Sequence, residues 1–310
     1  MKTVGAVMAT YNGEKFLSEQ LDSIIHQTKR LQQIVIVDDK SRDRTREIIR
    51  KYLDRFPELI DFKENSENLG AKKTFEKGLM LCDTDYIALC DQDDVWRPEK
   101  IEKMVKCLLE NETAKLCFHD LEIINQDGLL RAKSYWAKAP ENEPLPVSGS
   151  AARDRIANFS NPVPGCTMVF DSSLKEHILP MPSSAVGHDW WISAVAFYFA
   201  EPVFIAEPLG QYRFHPNQTA GIGTTLIKKK NERKILPTHS RIVREVKRIV
   251  FSKRSKKEKE MALKVGRYAV SAELLKIIEK YRETFLRSDR DDEYRITADR
   301  MRKNLIVYGE

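Results

Sequence analysis

Polar and apolar positions along this chain fall into alternating short and long runs. Residues 3–9 form a short apolar strand, after which Phe16, Leu17, Leu21, Ile24 and Ile25 recur at helical spacing within 14–27. Residues 33–37 read QIVIV, a β-branched run of the kind that makes a strand buried on both faces. A helix is predicted over 43–55, a weaker strand over 59–62 and a helix over 68–82. The apolar run 86–90 is a further strand, 98–109 a helix with Pro98 in its first turn, and 115–124 another strand. Strand and helix alternate strictly, which predicts an α/β fold with a mostly parallel central sheet and helices on both faces.

Beyond residue 125 the pattern loosens. Residues 134–150 are irregular and rich in Pro and Glu, and read as a loop over one end of the sheet. A bend and a strand follow over 161–170, an apolar helix over 187–200, and two short strands over 203–206 and 209–214. No internal repeat is visible.

Composition narrows the class. At 310 residues, 42% hydrophobic and 32% charged, the chain fits a soluble domain with an appendage. Its longest nearly apolar stretch, 190–200, is too short to span a bilayer. The first residues run straight from a strand into a turn, so no signal peptide is expected and the expected location is cytoplasmic. The five cysteines show no metal-binding spacing; Cys82, Cys90, Cys107 and Cys117 read as buried thiols. The net charge of +6 is uneven, because residues 226–260 hold fourteen Lys/Arg against four Asp/Glu.

In a parallel sheet, ligands bind in the crevice outside the carboxyl ends of the strands. The polar residues at those ends are Thr10-Tyr11-Asn12-Gly13, Asp38-Asp39-Lys40-Ser41 and Asp91-Gln92-Asp93-Asp94. Three carboxylates within four residues repel one another once desolvated, and a divalent cation with a phosphate-bearing ligand relieves that repulsion. An acidic turn capping the following helix is the plainer alternative. Neither GxGxxG nor a Walker A sequence is present, so neither a dinucleotide fold nor a P-loop is supported.

Residues 9–13 (ATYNG), 37–41 (VDDKS) and 91–94 (DQDD), followed by 165–168 (GCTM), 187–191 (GHDWW) and 212–215 (YRFH), fall in an order that resembles family 2 glycosyltransferases with the GT-A (nucleotide-diphospho-sugar transferase) fold. The last three blocks are similar to the rhamnosyltransferase-like branch. The resemblance covers roughly residues 3–220 and implies a catalytic domain over 1–222; the tail lies outside it, and its charge and periodicity read as a basic helical C-terminal extension over 223–310.

It also implies roles. Thr10, Tyr11, Asn12, Asp38, Asp39, Asp91 and Gln92 would bind the nucleotide-sugar donor. Asp93 would be the main ligand of a Mg2+ or Mn2+ ion, with Asp91 and His215 beside it. Asp189 would be the catalytic base that takes the proton of the acceptor hydroxyl, giving single displacement with inversion. Capping of the helix that starts there is an equally good local reading of Asp189. Gly165, Cys166, Thr167, His188, Trp190, Trp191 and Arg213 would lie around the acceptor or just behind it, the two Trp rings as a platform for a sugar face. For Asp94 a helix-cap role stays open, and for Arg213 a structural ion pair.

The expected reaction is transfer from dTDP-rhamnose or a UDP-hexose to a saccharide or lipid-linked acceptor in surface polysaccharide synthesis. Two alternatives stay open: a non-catalytic nucleotide-sugar-binding or partner-binding member of the fold, and a sugar nucleotidyltransferase. The second would want an early Gly-rich basic loop, which the sequence lacks. In the tail, Ile242, Val243, Val246, Ile249 and Val250 alternate helically with Arg241, Arg244, Lys247 and Arg248. Such a helix can lie on an anionic membrane surface, making the enzyme peripheral on the inner face of the plasma membrane, or pack back on the domain. No nucleic-acid partner is expected, since no stacking aromatics interleave these charges.

Overall fold

Residues 33–37 become the heart of β2 (Gln33–Asp38), one of nine strands in a single sheet among the described residues. The others are β1 (Val4–Thr10), β3 (Ile60–Glu64), β4 (Tyr86–Cys90), β5 (Val95–Trp96), β6 (Leu116–Asn125), β7 (Leu130–Ala132), β8 (Met168–Asp171) and β9 (Val203–Phe214). The helices are α1 (Leu17–Ile25), α2 (Thr45–Arg55), α3 (Ala71–Leu81), α4 (Lys100–Glu110), α5 (Lys175–Ile178) and α6 (His188–Phe199). This computed structural model describes residues 2–136, 161, 163–182, 185, 187–216 and 218. The extension over 223–310, with its basic helix, lies outside the described residues, as does most of the loop over 134–150.

The strand order is β3-β2-β1-β4-β8-β6-β9-β5, with β7 paired to β6. β1 to β4 run parallel, as alternation with helices demands. β8 enters antiparallel between β4 and β6, which departs from the parallel expectation in this half of the sheet. Residues 203–206 and 209–214, expected as two strands, are one strand. Pro208 cannot donate to the ladder, and register shifts beside it let β9 continue along β6. The two-residue β5 and three-residue β7 had no periodicity to announce them.

Strand alternation sorts the core into two layers. Ala6 and Met8 face α1, α2 and α4, whereas Val7 faces α3 and α6. α6 is apolar nearly all round, and its Trp190 and Trp191 are 2% and 1% exposed. They are core side chains here, not the exposed platform expected of them. Trp191 Nε1 donates to the Ile178 carbonyl at 2.9 Å, anchoring the helix that carries Asp189.

Candidate active site

The carboxyl ends of β1, β2 and β4 converge, and each loop is locked by side-chain bonds. Gln92 clamps the first of them: its Oε1 accepts from Tyr11 N at 2.9 Å and its Nε2 donates to the Tyr11 carbonyl at 3.1 Å. This clamp fills the space above Gly13, where a Cβ would stand 2.3 Å from Gln92 Oε1. Asn12 has φ of 50°, a conformation Asn tolerates, and its Oδ1 accepts from Arg42 N at 2.8 Å. Thr10 Oγ1 donates to Asp38 Oδ2 at 2.9 Å, and Asp38 also accepts from the Ser41 amide and hydroxyl. Thr10 and Asp38 are therefore a buried frame, while Tyr11 is half-buried and Asn12 exposed.

Asp39 is spoken for as well. Its Oδ1 accepts from Asn65 Nδ2 and Leu69 N at 2.9 and 2.7 Å, and its Oδ2 from Gly70 N at 2.8 Å. It thereby holds the loop that opens α3. A carboxylate has about four acceptor sites, so three bonds leave room for one further donor.

The acidic loop after β4 is built from a distance in sequence. His215 Nε2 lies 2.9 Å from Asp93 Oδ2, Arg213 N donates to Asp94 Oδ1 at 3.0 Å, and Arg213 Nε donates to the Asp93 carbonyl at 2.9 Å. Arg213 is 2% exposed, is paired with Glu19 at 2.5 Å, and has its guanidinium 4.7 Å from the Phe16 ring centroid. Of the two readings of Arg213, the structure carries the ion pair. The same bonds correct the helix-cap reading of Asp94: α4 starts at Lys100, with no side chain capping it.

Asp91, Asp94 and Cys166 bring their ligand atoms within 4.8 Å of one another. Asp94 Oδ2 is buried with no hydrogen-bond partner in geometry, although the Cys166 side chain is close enough to favour the ionised form of this carboxyl. Burial, then the charge of Asp93, pushes the Asp94 carboxyl up to about 7. Burial and the charges of Asp94, Asp93 and Asp189 raise Asp91 well above the usual range. The crowded carboxylates of Asp91 and Asp94, one with an orphaned oxygen, fit a hard divalent cation, and His215 stands beside the neighbouring Asp93. The thiol of Cys166 is a soft donor and fits such an ion less well.

Beside the acidic loop stands the turn Gly165–Thr167, buried against the first turn of α6. A Cβ on Gly165 would lie 3.2 Å from both Asp189 Cβ and His188 Nε2, so only glycine permits this approach without displacement. Thr167 Oγ1 donates to the Pro164 carbonyl at 2.7 Å. Asp189 Oδ1 accepts from Trp190 N at 2.8 Å, and Oδ2 from Asn161 Nδ2 at 2.6 Å. His188 stacks on Phe75 with centroids 3.8 Å apart, and its burial lowers the imidazole pKa.

Sequence reasoning passed over Asn161, Glu19, Asn65 and Lys100. Lys100 is fully buried, its Nζ donating to the Cys166 carbonyl at 2.7 Å and lying 3.9 Å from the Trp96 ring centroid. Its desolvation, against the opposing charges of Asp94 and Asp91 among others, sets its ammonium down at about 8. A lysine four residues after Trp96 reads in sequence as an ordinary surface position of a helix, so no signal marked it.

A parallel half-sheet with an acidic loop at its centre, continued by an antiparallel strand and a helix that returns a carboxylate to the same crevice, defines a GT-A-fold protein. Solved structures share this fold. Staphylococcus aureus TarS in complex with UDP-GlcNAc matches with a TM-score of 0.55 at 15% identity, over 98% of this chain and 81% of that one. The mannosyltransferase PcManGT of Pyrobaculum calidifontis, in complex with GDP-Man and Mn2+, matches with a TM-score of 0.52 at 15% identity, over 98% and 85%.

The chain belongs to glycosyl transferase family 2, whose family model matches residues 6–177. The dTDP-rhamnosyl transferase RfbG of Shigella flexneri is 30% identical over 226 residues, 69% of this chain and 73% of that protein. An uncharacterised Mycobacterium tuberculosis protein, Rv1520, is 29% identical over 215 residues, 67% of this chain but only 58% of the relative. Among the described residues no helix is long and apolar enough to cross a membrane.

Proposed function

We propose that the chain is an inverting, metal-dependent glycosyltransferase. It moves a sugar from a nucleotide-sugar donor, dTDP-rhamnose or a UDP-hexose, to a saccharide or lipid-linked acceptor in surface polysaccharide synthesis. One observation carries this reading: the turn whose Cys166 lies within 4.8 Å of oxygens on Asp91 and Asp94 also lies against Asp189, where a Cβ on Gly165 would stand 3.2 Å from the Asp189 Cβ. A donor's diphosphate at the acidic loop would thus have a carboxylate across the crevice from it, as single displacement requires.

The residues divide the work. Tyr11, half-buried at the end of β1, offers a ring face to a nucleobase, and Asp39 keeps one acceptor site for an imide N–H or a ribose hydroxyl. Asp91 and Asp93, with His215 adjacent, would hold a Mg2+ or Mn2+ ion, which would supply positive charge against the leaving diphosphate. Asp189 takes the proton of the acceptor hydroxyl. The Trp190 N–H and Asn161 Nδ2 each bond one of its oxygens, fixing the carboxylate plane while leaving lone pairs for the proton. Gly165 lets the wall of the crevice come close to that carboxylate.

RfbG, by its name, supports dTDP-rhamnose as donor, and the UDP-GlcNAc and GDP-Man complexes of the structural neighbours support a nucleotide-sugar. The Mn2+ of PcManGT supports a divalent cation. Placement on the inner face of the plasma membrane through 226–260 belongs to the same proposal. Asp189→Asn tests it: donor affinity kept with transfer lost by at least about 100-fold is expected. Full transfer in that variant would remove Asp189 from the mechanism.

A further inference from the structure

Lys100 breaks two local rules at once. It is 0% exposed, and it opens α4, where the helix dipole disfavours a cation. Burying an ammonium is costly unless something compensates. No carboxylate among the described residues lies within 4.0 Å of it as an ion-pair partner. Its two contacts are the Cys166 carbonyl, accepting at 2.7 Å, and the electron-rich face of Trp96 at 3.9 Å. Both suit an ammonium. A methionine or leucine would fill the same space without either penalty, so packing alone does not account for a lysine here.

What the position does offer is charge at the back of the acidic loop. Lys100 acts electrostatically on Asp91 and Asp94 alike, and favours the ionised form of each. The link is geometric: Lys100 Nζ donates to the Cys166 carbonyl, and Cys166 Sγ lies within 4.8 Å of carboxylate oxygens on Asp91 and Asp94. A fixed cation that steadies empty carboxylates must equally repel a second cation arriving at them, because the same Coulomb interaction changes sign.

We propose that Lys100 is a positioning residue that acts through the acidic loop: its charge holds the affinity of the loop around Asp91 and Asp94 for a divalent cation low, so that the cation is retained with a nucleoside diphosphate rather than alone. The diphosphate brings negative charge of its own, which cancels the repulsion. The cation and its counter-anion then bind as a linked pair, and leave as one after reaction. This inference rests on the reading that the acidic loop takes a divalent cation.

The test is Mn2+ binding by calorimetry to the full chain, with and without UDP, in wild type, Lys100→Met, Lys100→Gln and Lys100→Arg. Removing the charge is expected to tighten binding of Mn2+ alone by about tenfold and to narrow the gap between the two conditions. Lys100→Arg, which keeps the charge, should stay within about threefold of wild type. A residue that merely props up the Cys166 turn would loosen cation binding when replaced, so unchanged or weaker binding in folded Lys100→Met overturns the proposal. If neither neutral variant folds, wild type decides: Mn2+ alone must bind at least about tenfold more weakly than Mn2+ with UDP. Equal affinities there overturn the proposal. Wild type that binds no Mn2+ even with UDP overturns the cation reading itself, and the Lys100 role with it.

Discussion

His215 Nε2 sits 2.9 Å from Asp93 Oδ2, across 122 positions of sequence. The contact ties the end of β9 to the loop after β4, so the last strand of the sheet closes the site that the first four open. Phe16 packs on the same imidazole, with ring centroids 4.9 Å apart.

His215→Ala should therefore weaken Mn2+-dependent binding of a nucleoside diphosphate by about 10–100-fold, the usual effect of losing a residue that orients a ligand carboxylate. The unfolding midpoint should fall as well, because the imidazole is only 11% exposed and packs on Phe16. Calorimetric titration with UDP and Mn2+ checks the first point and a melting curve the second.

Arg213 is a structural matter. It joins Glu19, the Asp93 carbonyl and the Phe16 ring from a nearly sealed position. Glu19 is 57% exposed, so the ion pair itself contributes little. The cost of Arg213→Ala comes from lost packing and an orphaned carbonyl, about 2–3 kcal/mol in urea unfolding. Lys should not rescue it, since one ammonium cannot span the three partners that the guanidinium reaches.

These two residues show how far the sequence could be read. Continuous apolar runs and helical spacing placed β1 to β4 and α1 to α4 within a few residues, because the central strands are buried on both faces and each helix buries one. The blocks around Asp91, Asp189 and His215 were visible as residue types at strand and helix ends. What the sequence withheld was pairing. Nothing local says that Arg213 reaches Glu19, or that Asp38 and Thr10 use up each other's polar atoms. β8 running antiparallel, and the burial of Trp190 and Trp191, follow from what α6 packs against. Lys100 was hidden because lysine on a helix ordinarily means solvent.

The acid side of the stability curve follows from Asp94. Its folded value near 7 exceeds the ordinary 3.8, so between those values the native protein binds more protons than the unfolded chain. Stability of the cation-free protein should then fall as pH rises from about 4 to about 7, by on the order of 4 kcal/mol. Asp94→Asn should flatten that slope. A wild-type curve that rises with pH over this window, and is unchanged in the variant, would show that Asp94 ionises freely in the fold.

Gly13→Ala drives a Cβ to within 2.3 Å of Gln92 Oε1, and the clamp on Tyr11 must give way. A loss of about 1–3 kcal/mol is expected, together with weaker nucleotide binding, because the β1 loop is released from the acidic loop. Gln92→Ala in the same background should recover part of the stability by making room. Urea melts of the three proteins decide it.

The central claim is that the acidic loop holds a nucleoside diphosphate with a divalent cation. Thermal unfolding with UDP, dTDP and GDP, each with and without Mn2+, tests it on wild type and Asp93→Asn. The account predicts a cation-dependent rise in melting temperature with UDP or dTDP, absent from the variant. No rise with any nucleotide, or an equal rise in Asp93→Asn, would contradict it.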